Sequence, residues 1–206
     1  RLANMPSDGV PYPVFSLAAL VPWTYFASAL GTGSSSLAAY EHIISKVYFP
    51  RVFVPVAAVL GPLVDFVIAF GILLGMMAFY GIVPGRAAMF LPIFMLLAIA
   101  SAAAAAVWLS ALNVRYRDVR YVVPFGIQLW LFATPVAYPA SLVPPAFRAW
   151  YGLNPMAGVV EGFRWALVGG PSPGAMTVVS ALVVAVTLAA GAVYFRSVEG
   201  TFADVI

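Results

Sequence analysis

Residues 66–120 read FVIAFGILLGMMAFYGIVPGRAAMFLPIFMLLAIASAAAAAVWLSALNVRYRDVR. Arg86 is the only charge before Arg115, and then Arg115, Arg117, Asp118 and Arg120 arrive together. A bilayer core of about 30 Å needs about 20 apolar residues of helix. The stretch holds two such spans, one on each side of Arg86. Strands of a membrane barrel would alternate apolar and polar residues over about ten positions. These runs are continuously apolar, so the expected class is all-α and polytopic.

The rest of the chain repeats this pattern. Uncharged intervals run over 9–40, 66–85, 87–114, 121–147 and 165–195. They predict membrane spans near 14–33, 56–80, 88–111, 121–140 and 175–195, in one transmembrane domain covering 1–206. The composition agrees: of the 206 residues, 64% are hydrophobic and 8% charged, against about 25% charged in soluble domains. Ten Lys and Arg cannot make a nucleic-acid footprint, and the absence of Cys excludes disulfides and thiolate metal sites.

Lys and Arg bias a loop toward the cytoplasm. With alternating spans, Lys46, Arg51, Arg115, Arg117, Arg120 and Arg196 fall on one side, against Arg1, Arg86, Arg148 and Arg164 on the other. The cluster in 112–120 sets that side as cytoplasmic, with the C-terminus inside and Arg1 outside. No Met stands at position 1, so the expectation is a piece of a longer chain lacking one upstream span. The alternative is a five-span protein with an exported N-terminus.

Residues 141–174 are too apolar for a solvated external loop. Pro145 opens one short helix, and Asn154 caps a second that starts at Pro155 and stops at Gly169-Gly170-Pro171. Met156, Val159, Val160, Phe163 and Leu167 share a face, and Glu161 can pair with Arg164. This predicts a re-entrant hairpin buried against protein, with an interfacial hairpin as the alternative. A second irregular stretch predicts a short amphipathic helix near 38–50, stopped by Pro50. It would be either a membrane-surface element or a docking element for a cytoplasmic partner. His42, the only His, has no metal partners.

Asp65 is the one acid inside a predicted span. It is either an intramembrane functional acid or, if Pro62 starts the crossing helix, a first-turn anion suited to the helix dipole. Gly71 and Gly75 form a G-x-x-x-G pair, and Ala102 to Ala106 a smooth face, both suited to close helix packing. Trp23, Tyr25, Trp130, Tyr138, Trp150, Tyr151 and Trp165 gather toward the outer side. They form either an interfacial belt or surfaces that stack on sugar rings.

Catalytic machinery is not apparent. One Lys and no G-x-x-x-x-G-K-[ST] leave no phosphate-binding loop, and no acid pair or Ser/His/Asp set can be assembled. No catalytic residue, metal ligand or bound cofactor is expected, so work against a gradient would come from another subunit.

The stretches NVRYRDVRYVVPFGIQLWLFATPVAYPASLVP (113–144) and YGLNPMAGVVEGFRWAL (151–167) resemble the membrane permeases of type-2 ATP-binding-cassette exporters, closest to those for O-antigen, capsular polysaccharide or teichoic acid. ISKVYFPR (44–51), LVDF (63–66) and GTFADVI (200–206) resemble the same group. The resemblance implies six membrane helices per subunit and a homodimer around a channel. It also implies two ATPase subunits that use ATP and Mg on the cytoplasmic face, and external gate helices between the last two spans. The family's N-terminal amphipathic segment and first helix are absent here. On this reading Tyr40, Glu41, His42, Lys46, Tyr48 and Arg51 belong to a helix coupled to the ATPase. Trp23, Tyr25, Trp130, Tyr138, Trp150, Tyr151 and Trp165 line the channel or gate. The implied cargo is lipid-linked polysaccharide crossing the bacterial inner membrane. A permease for drugs or small lipids, or a membrane enzyme of lipid-linked sugars, are the alternatives.

Overall fold

A computed structural model describes residues 9–40, 49–116, 118–139, 144, 147, 150–170 and 172–201. All regular elements among them are helical. Helix α1 spans Tyr12–Ala39. Pro11 at its N-cap and Pro13 in its first turn give up no intrahelical hydrogen bond there. Helices α2 (Phe53–Leu60) and α3 (Leu63–Phe79) meet at Gly61-Pro62 and together make one 27-residue apolar run. A 3-10 turn at Arg86–Phe90 leads into α4 (Leu91–Arg115). Helices α5 (Val119–Ala133), α6 (Pro155–Val168) and α7 (Gly174–Val198) follow, the last ending in a 3-10 turn, Glu199–Thr201.

Four of these runs are long and apolar enough to cross a bilayer: Tyr12–Ala39, Phe53–Phe79, Arg86–Arg115 and Gly174–Val198. The protein is a polytopic helical membrane protein. The span expected over 121–140 is different. Helix α5 has 15 residues, about 22 Å at 1.5 Å per residue, and it stops at Ala133. Thr134 precedes Pro135, whose ring disfavours helical geometry at the residue before it. Thr134 accordingly adopts φ −103°, ψ 140°.

Helix α1 is the centre of the packing. It lies most extensively against α4 and also touches α2, α6 and α3. Val14, Phe26, Leu30, Val59, Leu73, Met77, Phe94, Met156 and Phe163 form the main buried cluster. In a bilayer, close van der Waals fit and interhelical hydrogen bonds replace the hydrophobic drive. Ala102, Ala104 and Ala106 are buried on α4, and a Cβ on Gly33 would lie 2.6 Å from Ala106 Cβ. Asn113 Nδ2 donates to Ser34 O at 3.1 Å, and Trp108 Nε1 donates to Thr187 O at 2.9 Å. The expected G-x-x-x-G contact is not made among the described residues. Gly71 and Gly75 have open space where a Cβ would stand, because Leu73 and Met77 form the buried face of α3.

Alternation of the helices puts Tyr40, Phe53, Arg115, Val119 and Glu199 at one end of the bundle. A second cluster there joins Leu37, Val107, Ala111, Val114 and Phe195. This is called the basic end below, and the opposite one the hairpin end.

Candidate functional site

At the hairpin end, Asn154 organises the entry to α6. Its Oδ1 accepts from Met156 N at 3.1 Å, capping the helix, and from Trp130 Nε1 at 2.9 Å. Its Nδ2 donates to Thr134 Oγ1 at 2.9 Å and to Ala133 O at 3.2 Å. One side chain thus starts α6 and holds the end of α5. Helix α6 stops where Gly169 takes a left-handed conformation, φ 78°.

Helix α6 has 14 residues, about 21 Å long, and nearly all of them are buried. Met156, Val159, Val160, Phe163 and Leu167 face the core. Gly158 packs on Ser180 of α7, and Gly162 on the Phe94 ring of α4; a Cβ at either would collide. Ser180 Oγ donates to Gly152 O at 3.0 Å. Glu161 and Arg164 pair at 2.8 Å, with side chains 9% and 3% exposed. Arg164 Nη1 also donates to Pro135 O at 2.6 Å and Tyr138 O at 3.1 Å, and Nη2 to Val136 O at 2.6 Å. Its guanidinium lies 3.8 Å from the Phe15 ring centroid. The planar, permanently charged fork suits several carbonyls at once.

The aromatic residues named from sequence separate into three groups. Trp130, Tyr138, Tyr151 and Trp165 gather around this hairpin. Trp130 meets Phe26 edge-on at 5.1 Å, and Trp165 packs on Phe90 and Phe94. The Tyr138 and Tyr151 hydroxyls hydrogen-bond each other. Burial first, and then that hydrogen bond, raise the Tyr151 phenol above its ordinary value. Trp150 is 68% exposed. Trp23 and Tyr25 depart from expectation. They lie midway along α1 and face the core, 4% and 2% exposed, with Tyr25 Oη donating to Val59 O at 3.2 Å.

Asp65 sits in the first turn of α3, as Pro62 implied, yet well inside the continuous α2–α3 run. It lines a cleft of about 830 Å³ between α1 and α2–α3, together with Ser28, Thr32, Ser35, Tyr40 and Phe53. A smaller cavity of about 240 Å³ lies at the hairpin end, bounded by Tyr12, Ser16, Phe132, Thr134 and Tyr138. Sequence reasoning missed Ser28 and Thr32, which line the larger cleft beside Asp65.

At the basic end Tyr40 is half-exposed. Arg51 is tied to the end of α7: its backbone N donates to Glu199 Oε1 and its Nη1 to Glu199 O, both at 2.9 Å. Glu41, His42, Lys46 and Tyr48 lie outside the described residues, as does most of the helix expected near 38–50. Among the described residues, no group of three or more His, Cys, Asp or Glu could hold a metal ion.

Residues 6–168 match the family model described as ABC-2 type transporter. The chain belongs to the ABC-2 type transporter family. The match takes in α1 to α6, and with them the linings of both cavities; the helix expected from Pro145 lies largely outside the described residues. Among curated relatives of this ABC-2 chain is an O-antigen export system permease protein RfbA of Myxococcus xanthus. It is 30% identical over 155 residues, which are 74% of this chain and 60% of that protein. An O-antigen export system permease protein RfbA of Klebsiella pneumoniae is 27% identical over 154 residues, with the same two shares. The chain therefore spans about 60% of the length of the curated relatives it matches.

Proposed function

We propose that this chain belongs to the channel-forming permease of an ATP-driven exporter that moves lipid-linked polysaccharide across the bacterial inner membrane. The observation that carries the reading is the family match over 6–168, together with its 30% identity to an O-antigen export permease. The relatives' names favour polysaccharide over drugs or small lipids as cargo. The permease works as a homodimer with two ATPase subunits, which supply ATP and Mg chemistry. It binds no cofactor itself and does no catalysis.

Arg51, Arg115, Arg120 and Arg196 lie toward one end of the bundle, which supports a cytoplasmic assignment for that end and for the C-terminus. ATP-driven closure of the partner subunits acts on the segment from Tyr40 to Arg51, including Glu41, His42, Lys46 and Tyr48. The link from Arg51 to Glu199 passes the displacement to α7. At the opposite end, Trp130, Tyr138, Trp150, Tyr151 and Trp165 meet the emerging glycan.

The test is reconstitution of the complete chain with its ATPase in vesicles. Export of a lipid-linked glycan that needs both subunits and ATP is the expected result. Export of a drug or phospholipid with no glycan movement would overturn the cargo. Activity without any ATPase would overturn the energy source.

A further inference from the structure

The cleft between α1 and α2–α3 holds acceptors and one acid. Ser28, Thr32 and Ser35 stand exposed on its α1 wall, and Asp65 on the α3 side. Thr32 Oγ1 donates to Ser28 O at 2.9 Å and Ser35 Oγ to Gly31 O at 3.0 Å. A hydroxyl that donates its proton to its own helix still has lone pairs to offer. Among the described residues no Lys, Arg or His lines the cleft, and the Asp65 carboxylate has no ion-pair or hydrogen-bond partner. The rest of the lining is apolar or aromatic. Val54, Ala57 and Ala58 form the α2 wall, and Tyr40, Phe49 and Phe53 stand toward the basic end.

An acid well inside an apolar run is costly unless a cation or water meets it. The lining decides which cation fits. A bare metal ion would find one carboxylate and no second acid or His among the described residues there. A zwitterionic lipid headgroup would bring a phosphate for which the described lining offers no base. An organic cation with apolar bulk meets neither objection. Its charge faces the carboxylate, its body lies on the apolar wall, and aromatic faces attract cations as well. The cleft volume, about 830 Å³, falls inside the range of small-molecule sites, roughly 300–1,000 Å³.

We propose that this cleft is a binding site for a lipophilic organic monocation, such as a phosphonium or quaternary ammonium, with Asp65 as its counter-ion. The site is separate from the glycan cargo and goes beyond the export reading.

The probe is radiolabelled tetraphenylphosphonium. The protein is the full-length permease with its ATPase, in phosphatidylcholine nanodiscs, and empty nanodiscs correct for partition into lipid. Binding should be saturable. Asp65→Asn should weaken it by about tenfold or more, as loss of one close ion contact in a partly hydrated cleft implies. Asp65→Glu keeps the charge and should stay much nearer the parent. Ala57→Trp, at an exposed position of the wall, should block the cleft with Asp65 in place. Neutral triphenylphosphine oxide should not compete. Assembly with the ATPase and an unchanged melting temperature report that each variant folds. Where Asp65→Asn fails to fold, Ala57→Trp and the neutral competitor decide the matter. Absence of saturable binding, as when a base from elsewhere in the complex already sits on Asp65, would overturn the proposal. So would unchanged binding after Asp65→Asn or Ala57→Trp, or equal competition by the neutral compound. Binding is read without transport, so the result stands apart from the export reading.

Discussion

Arg164 concentrates more interactions than any other described side chain at the hairpin. It neutralises Glu161 and donates to the carbonyls of Pro135, Val136 and Tyr138. Removing one partner of a buried ion pair leaves the other uncompensated, at a cost of about 3–5 kcal/mol. Arg164→Ala should lower stability by that order, read as thermal unfolding of the detergent-solubilised full-length chain. Arg164→Lys should recover less than half of the loss, because an ammonium cannot reproduce the planar fork. Full recovery by Lys would mean that charge alone matters there. Asn154→Ala removes a cap and should cost about 1–2 kcal/mol. Asn154→Asp should fall between wild type and Ala in the same melts, since it keeps the acceptor for Met156 N and loses both donations to α5. The pairing of Glu161 with Arg164 and the capping by Asn154 were legible as spacing. The carbonyl grip was not, because main-chain acceptors carry no residue code.

At the scale of elements, α6 depends on two thin positions. Gly162→Ala would drive a methyl into the Phe94 ring, and overpacking of this kind costs about 1–3 kcal/mol. Gly71→Ala, with nothing within 4 Å of the added Cβ, should leave protomer stability unchanged or raise it by up to about 1 kcal/mol, since Ala is the better helix former. The pair of melts tests whether helix packing follows the geometry rather than the G-x-x-x-G pattern. Helix existence was legible from charge scarcity, which is why the four long runs fall close to where hydropathy puts them. The end of α5 was harder, since TPVAYP (134–139) stays apolar past the last helical residue; Pro135 was the available signal. Which side of α1 faces protein was not readable from apolarity. A helix apolar on nearly every side has no contrast to report, so Trp23 and Tyr25 looked available while they were buried.

For the whole molecule, the described arginines lie mainly at one end. Under the proposed orientation, a thiol at Tyr116 should be labelled by an impermeant maleimide only after the cytoplasmic side is opened. A thiol at Val83 should be labelled in spheroplasts at once. Both positions are exposed, so accessibility is decided by the membrane rather than by the fold. The reverse pattern would invert the topology and remove the basis for coupling at Tyr40 and Arg51. The packing of α4 and α6 against α1 depends on neither outcome.

The grip of Arg164 on three main-chain oxygens has a mechanical consequence. It reads main-chain oxygens rather than side chains, so the fastening tolerates a change at Val136, while Pro135 still ends α5 and Tyr138 still bonds Tyr151. It fastens the segment just after α5 to the buried helix α6, in addition to the hold of Asn154 on the last turn of α5.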